Sequence, residues 1–292
     1  MVCNLCPRSC GAVRTADRGD GYCRMPEVAV LARAALHYWE EPPISGTRGS
    51  GTIFFSGCSL GCVFCQNEEI SHRDIGKPVS MERLEEICRE LVAQGAQNLN
   101  FVTPTHYAHV VGALLEKYRP DVPVVWNCGG YERVDTLRGL EGKVDVYLPD
   151  LKYLDRGTAR RYSAAEDYPE IAVAAIREMV QQVGPCTLDG QGLLKKGVVI
   201  RHLLLPGQLA GAKEIMDWVA REFAPGTVLF SLMSQYTPWG RAKEFPEIDR
   251  TLRAGEIRAA QEYMAALGLE GFTQDGGSAS REYTPDFDFT GI

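Results

Sequence analysis

The sequence lacks any apolar run that approaches the roughly 20 residues of a membrane span. Its first residues, Met1-Val2-Cys3-Asn4, also lack the charged stretch and following apolar stretch of a secretory signal. Long basic runs are missing too, since the longest are Arg160-Arg161 and Lys195-Lys196, and acidic residues outnumber basic ones by 38 to 31. We therefore expect a cytoplasmic protein with no membrane partner and no nucleic-acid partner.

Cysteine, in contrast, is abundant, with ten residues in a chain of 292. In a cytosolic protein, clustered cysteines indicate metal binding rather than disulfide bonds. Cys58, Cys62 and Cys65 follow the apolar run 52–55 at the spacing C-x3-C-x2-C, and no fourth cysteine continues the pattern. Three thiolates can hold three irons of a [4Fe-4S] cluster and leave one iron open to another ligand, whereas a closed cluster takes four. The spacing therefore predicts a cluster that takes part in chemistry.

Two other interpretations of this loop are a zinc knuckle and three unrelated buried thiols. Zinc normally takes four protein ligands, or an open site built with His or carboxylate. The loop also contains Gly57, Ser59 and Gly61, small residues that let backbone N–H groups approach sulfur. These features favour the iron–sulfur cluster.

A second group, Cys3, Cys6, Cys10 and Cys23, lies in residues 1–27. This segment is too short and too rich in glycine to bury an apolar core, so it needs another source of stability. Four thiolates can provide it by binding one metal or cluster. Zinc or iron there would be structural, whereas an iron–sulfur cluster would add an electron relay. The spacing leaves these choices open, together with four free thiols in an unstructured leader.

Beyond the cluster loop, apolar runs alternate with amphipathic segments. We predict strands over 52–55, 99–102, 123–126, 144–148, 198–204 and 228–232, and helices over 80–94, 106–118, 134–140, 169–182, 210–223 and 255–267. Such alternation predicts an α/β fold with a parallel sheet, here a partial (β/α)6 barrel of TIM type over residues 28–270. Residues 271–292 are interpreted as a tail or lid.

Polar residues follow several of these strands. Thr103, Thr105, Asn127, Asp150, Lys152 and Gln235 all come at or just after a strand's carboxyl end. In barrels of this kind the chemistry is located at the carboxyl ends of the strands. We therefore expect these side chains to face a common site with the cluster loop.

The cluster loop resembles that of the radical S-adenosylmethionine (SAM) superfamily, including the aromatic Phe64 before the third cysteine. The resemblance implies that SAM binds the open iron through its amino and carboxylate groups. It also implies a reductant, such as flavodoxin or ferredoxin, whose electron cleaves SAM to a radical that abstracts hydrogen from a substrate.

Within that superfamily, Asp150-Leu151-Lys152 resembles the D-x-K motif of the pyruvate formate-lyase activating enzymes, which act on glycyl radical enzymes. Further similarities at residues 6–8, 40–46, 65–67, 104–106 and 234–236 make the chain most like the PflX-like branch. The resemblance implies that Asp150 and Lys152 lie beside SAM and that the substrate could be a protein.

The chain departs from the family at one place. Where radical SAM proteins commonly carry Gly-Gly-Glu to bind the SAM amino group, this sequence has Asn100-Phe101-Val102-Thr103-Pro104-Thr105. Asn100, Thr103 or Thr105 could accept that hydrogen bond, and Asn127 could bond the SAM carboxylate or ribose.

Three functions are therefore weighed: an activase that acts on a protein glycine, a radical SAM enzyme that acts on a small molecule, and an iron–sulfur electron-transfer or scaffold protein. The D-x-K element favours the first over the second. The third is disfavoured because a pure electron carrier gains nothing from an open iron.

Overall fold

Parallel strands separated by helices organise the chain. In the computed structural model, which describes residues 2–73, 75–274 and 285–292, the strands are β1 (Ala29–His37), β2 (Ser50–Phe55), β3 (Lys77–Val79), β4 (Leu99–Val102), β5 (Val124–Cys128), β6 (Val146–Pro149), β7 (Thr187–Leu188), β8 (Leu194–Leu203), β9 (Val228–Met233) and β10 (Gly271–Thr273). The helices are α1 (Pro42–Ser45), α2 (Glu68–His72), α3 (Met81–Ala93), α4 (Ala108–Lys117), α5 (Val134–Arg138), α6 (Arg156–Ser163), α7 (Tyr168–Val183), α8 (Leu209–Glu222) and α9 (Ala254–Ala266). Within these ranges no helix is both long and apolar enough to cross a bilayer.

The strands form one sheet in the order β10-β9-β8-β6-β5-β4-β2-β1-β3, with β7 attached to β8. From β10 to β2 all neighbours are parallel, whereas β1 and β3 pair antiparallel at one edge. Among the described residues no ladder joins β10 to β3, so the sheet stays open. This is the α/β partial barrel that the alternation predicted, with β10 as an additional parallel strand.

Helix α6 is the main element that the sequence analysis missed. Its eight residues, Arg156–Ser163, include three arginines, and only Ala159, Tyr162 and Ser163 are buried. The buried residues do lie on one face, but two apolar side chains in eight residues are too few to predict a helix from periodicity. By contrast, α3 carries a clear stripe and begins after Ser80, whose side chain accepts a hydrogen bond from the Arg83 N–H, as the prediction over 80–94 requires.

The two faces of the sheet differ in chemistry. Phe101, Trp126, Tyr147 and other large residues pack against the helices on the outer face. The inner face is apolar at its lower end, where Val125, Val146, Leu148, Val199 and Leu229 surround Ile44 of α1. Asn98 holds this short helix by donating from Nδ2 to the Ile44 carbonyl over 2.7 Å. The helix therefore plugs the lower end and brings the preceding Glu40 and Glu41 to the inner face.

The two described parts of the predicted tail lie at opposite edges of the sheet. β10 pairs with β9. Residues 285–292 lie on β1, where the Phe289 N–H donates to the Ala32 carbonyl over 3.2 Å and the Ala34 N–H donates to the Thr290 carbonyl over 2.9 Å. The remainder of the predicted tail, residues 275–284, falls outside the described residues.

Candidate functional site

The cluster loop begins where β2 ends, at the edge of the sheet that carries the carboxyl ends of the parallel strands. Gly57 has φ +80°, and a Cβ there would lie 2.3 Å from the Met25 side chain, so only glycine suits the turn. Each thiol of the loop has a donor or hydroxyl neighbour. The Leu60 N–H donates to Cys58 Sγ over 3.3 Å, Ser163 Oγ lies 3.0 Å from Cys62 Sγ, and Ser71 Oγ lies 3.6 Å from Cys65 Sγ.

Burial and neighbouring thiols disfavour the ionisation of Cys58 and Cys65. Burial raises the pKa of Cys58, and the neighbouring Cys62 and Cys65 raise it further. Burial and Cys62 raise the pKa of Cys65 to about 11, although the Ser71 hydroxyl opposes the shift. A multiply charged iron centre offsets this repulsion, since a coordinating thiol is deprotonated by its metal. The donor set therefore fits a [4Fe-4S] cluster held by three cysteines.

A cavity of about 220 Å³ lies directly against this loop. Its wall includes Cys62 and Cys65 from the loop and four side chains from elsewhere in the barrel: Asn127, Asp150, Lys152 and Gln235. The carboxyl ends of β5, β6 and β9 supply these four, as expected for parallel strands whose ends share an edge.

The inner wall of the cavity is an ion-pair network centred on Arg201 of β8. Lys152 Nζ lies 2.6 Å from Asp150 Oδ2, and Arg201 Nε donates to Asp150 Oδ1 over 3.0 Å. Burial alone would raise the pKa of Asp150, but Lys152 and Arg201 outweigh it and hold that pKa below its ordinary value. Asp150 is therefore an ionised acceptor at neutral pH.

Glu40 completes the network from the segment before the plug. Its carboxylate accepts hydrogen bonds from Asn100 Nδ2 at 3.0 Å, from Asn127 Nδ2 at 3.1 Å and from Arg201 Nη1 at 3.3 Å. Arg201 Nη2 donates to Asn127 Oδ1 over 2.6 Å. Two carboxylates and two cations thus balance in charge along one wall.

The structure brings together some of the predicted SAM contacts and separates others. Asn127, Asp150, Lys152 and Gln235 line the cavity, and Asn100 reaches its edge through Glu40. Thr103 and Thr105 are not among the lining residues. Thr103 adopts φ +57°, and its N–H donates to the Asn127 carbonyl over 2.8 Å. Thr105 Oγ1 donates instead to the buried Glu132.

Sequence reasoning did not assign Glu40, Arg201 or Ser163 to the site. Two of these residues have features in the sequence that could have identified them. Arg201 is a charged residue within a mostly apolar predicted strand, and Glu40 belongs to a pair of acids that precedes the cluster strand. Ser163 has none, since it lies on α6. Cys128, the last residue of β5, does not line the cavity and is buried with the apolar residues of the helix-facing side.

The amino-terminal cysteines lie close to one another. Burial raises the pKa of Cys6 to about 12, and Cys23 and Cys3 raise it further. Burial also raises the pKa of Cys23, with contributions from Cys3 and Cys10. Across the described residues, however, no three His, Cys, Asp or Glu side chains are gathered closely enough to hold a single metal ion.

This amino-terminal segment is docked onto the cluster loop through Arg8. The guanidinium donates to the carbonyls of Ser59 at 2.8 Å, Ala164 at 2.6 Å and Ser163 at 3.3 Å. It also lies over the ring of Tyr22, 4.0 Å from the centroid. One side chain therefore ties the first cysteine group to the loop that carries the second.

Comparisons with known proteins agree with this geometry. The Radical SAM superfamily model matches residues 52–219. The chain is 31% identical over 279 residues to "Uncharacterized protein MJ0674" of Methanocaldococcus jannaschii, an alignment that covers 92% of this chain and 75% of that one.

Solved structures with a similar fold share little sequence. SuiB of Streptococcus suis superposes with a TM-score of 0.53 at 15% identity and covers 77% of this chain, which spans about half the length of SuiB (48%). A radical SAM methyltransferase of Sphaerobacter thermophilus gives a TM-score of 0.51 at 15% identity, covering 77% of this chain and 66% of its own. A structure of SuiB bound to S-adenosylmethionine gives 0.52 at 15% identity, covering 77% of this chain and 47% of its own.

Proposed function

The chain belongs to the radical SAM superfamily, and from that premise we propose that it is an enzyme which cleaves SAM reductively and abstracts hydrogen from a bound substrate. The family implies a [4Fe-4S] cluster and SAM as cofactors. When bound, they supply a 5′-deoxyadenosyl radical after one electron arrives from a reductant such as flavodoxin or ferredoxin. The observation that carries the proposal is the cavity that joins the three-cysteine loop to the Asp150–Lys152 pair.

Cys58, Cys62 and Cys65 would hold the cluster. Two kinds of side chain on the opposite wall suit the polar ends of SAM. The Lys152 ammonium can meet a carboxylate, and the Asp150 carboxylate and Asn127 amide can accept from a ribose hydroxyl or an amino group. Since this wall is already held by Arg201 and Glu40, SAM would meet donors and acceptors that need little reorganisation.

We infer that the amino-terminal cysteines hold a second metal centre. The support is the presence of four cysteines in one short segment that lacks its own apolar core, together with the Arg8 contacts that join this segment to the cluster loop. Zinc, iron and an iron–sulfur cluster differ in their metal and sulfide content, so elemental analysis of the loaded protein separates them.

For the substrate, the D-x-K element favours a protein glycine, as in the glycyl radical enzyme activases. A second cavity of about 730 Å³ adjoins the first and is lined in part by the exposed rings of Tyr38 and Trp39. Its volume is that of a small-molecule site, so a short peptide loop and a small metabolite both remain candidates.

The test uses anaerobically reconstituted protein with a strong reductant and SAM. We expect release of 5′-deoxyadenosine and methionine, slow without substrate, together with a change of the reduced cluster's electron paramagnetic resonance spectrum when SAM binds. Asp150→Asn and Lys152→Ala should keep the cluster yet weaken SAM binding by roughly 10- to 150-fold per lost contact. If SAM binds but no 5′-deoxyadenosine forms with any added extract, an electron-transfer or scaffold role replaces this proposal.

A further inference from the structure

The second cavity contains a buried acid that the SAM site does not use. Glu41 lines this cavity and is 9% exposed, and among the described residues its Oε2 has no hydrogen-bond partner. The Ser231 hydroxyl of β9 lies near this carboxylate and opposes the rise of its pKa. A buried carboxylate oxygen without a donor costs free energy, which a bound ligand that donates a hydrogen would recover.

The carboxylates around the cavity outnumber the cations, so Glu41 shares Arg201 with Asp150 and Glu40 and has no cation of its own. Each nitrogen of Arg201 already has an acceptor in Asp150, Glu40 or Asn127, and Lys152 pairs with Asp150. Two cations therefore match the two other carboxylates, and Glu41 is the third acid. Burial raises the pKa of Glu41, Arg201 opposes the shift and Glu40 adds to it.

Other groups on the wall also suit a cation. Gln274 lines the cavity, and its buried Oε1 has no hydrogen-bond partner in the part of the chain that the structure describes. Glu41 Oε2 and Gln274 Oε1 therefore both favour a ligand that donates hydrogen bonds in this cavity. The Tyr38 ring also lines the cavity, and aromatic faces attract ammonium and guanidinium groups.

From these observations we propose that the second cavity binds the substrate through a cationic group, an ammonium or a guanidinium, with Glu41 as its counter-charge. The proposal rests on the proposed function in that it takes this cavity as the substrate side of the SAM site. The two cavities share Trp39, Glu40, Arg201, Met233 and Gln235. A molecule anchored at Glu41 would therefore extend toward the Cys62 and Cys65 side.

The experiment measures binding by calorimetry on the full chain with its cluster reconstituted and SAM at saturation. The probes are N-acetyl-arginine amide and N-acetyl-lysine amide, each against a neutral counterpart, N-acetyl-citrulline amide and N-acetyl-norleucine amide. We expect at least one cation to bind at least about tenfold more tightly than its neutral counterpart. Glu41→Gln should remove that preference, a loss of roughly 10- to 150-fold in affinity for the cation.

Two controls distinguish a specific loss of cation binding from a general loss of binding or of the cluster. Glu262→Gln changes an exposed acid of α9, whose side chain is 71% exposed, and should leave probe binding unchanged. Cluster absorbance and SAM affinity should be the same in Glu41→Gln as in the natural chain. Should Glu41→Gln fail to load a cluster, Glu41→Asp keeps the charge on a shorter stem and should retain a reduced preference for the cation.

Three results would overturn the proposal: equal binding of charged and neutral probes, no binding of either cation at millimolar concentration, or a loss of SAM affinity in Glu41→Gln, which would assign the acid to SAM. The reaction is tested separately. A protein that shows Glu41-dependent cation binding but forms no 5′-deoxyadenosine would refute the proposed function and leave the cation site standing.

Discussion

The two cysteine groups of this chain are held by different kinds of structure. Cys58, Cys62 and Cys65 follow a fully buried strand at the carboxyl edge of a parallel sheet. Residues 2–27, by contrast, contain only isolated bridges, such as Val2 with Val13 and Arg14 with Gly19. The sheet alone positions the three-cysteine loop. The amino-terminal segment depends instead on the contacts of Arg8 and, as we propose, on its metal. Loss of ligands should therefore remove chemistry at the first site and stability at the second.

The largest effect is expected from replacing Cys58, Cys62 and Cys65 together with alanine. The sheet around the loop does not need the cluster to form, so the protein should fold but lose its cluster absorbance and all formation of 5′-deoxyadenosine. Anaerobic reconstitution followed by absorbance and product analysis measures both. A variant that still assembled a complete cluster at this loop would contradict the assignment.

Replacing Cys3, Cys6, Cys10 and Cys23 with serine tests the other half of the comparison. Loss of a metal that staples a small segment is among the most destabilising changes, here more than about 4 kcal/mol. Metal content should also fall below that of the natural chain by the amount of the second centre. The measurements are denaturant unfolding and elemental analysis. Unchanged stability and unchanged metal content would show that these cysteines hold no second metal centre.

The link between the two groups is tested by Arg8→Ala. The change removes the charged donor that three partly exposed carbonyls share. We expect it to lower the free energy of unfolding by about 1–3 kcal/mol. Arg8→Lys should recover less than half, because a point charge cannot serve three acceptors as a planar fork does. Faster loss of cluster to a chelator would show that the contact supports the loop. Arg18→Ala is the control, since that side chain is 77% exposed and pairs with Asp20 inside the segment.

A pH effect is expected from one buried acid, Glu132, in the loop between β5 and α5. Burial raises the pKa of Glu132 from 4.5 to about 8, although the Thr105 hydroxyl opposes the shift. Between these values the folded chain keeps a proton that the unfolded chain releases. The contribution of Glu132 to the unfolding free energy should thus fall by up to about 1.4 kcal/mol for each pH unit that the solution rises. Below about pH 6.5 this fall is opposed by the buried His106 and His202, whose pKa values are lowered by burial. Unfolding curves from pH 5 to 8 should lose this slope in Glu132→Gln, and parallel pH profiles for the two proteins would show that the carboxyl is ionised throughout.

The local patterns of the sequence predicted more than its long-range contacts did. Spacing and the apolar run before it located the cluster loop, and strand alternation predicted the parallel sheet. The Glu40–Arg201–Asp150 network joins three segments distant in the sequence, and its hydrogen bonds depend on which side chains the pleat turns inward. Thr105 shows the same limit, because a 3-10 turn after β4 directs it to Glu132 instead of the cavity.

The contacts of Arg8 also set an order of events during synthesis of the chain. Its acceptors at Ser163 and Ala164 lie 155 and 156 positions later in the sequence. At ribosomal speeds of about 5–20 residues per second, they appear roughly 8 to 30 seconds after Arg8 itself. Throughout that interval the first four cysteines are translated but cannot dock. The first cysteine group can therefore reach its final contacts with the end of α6 only after that helix has been translated.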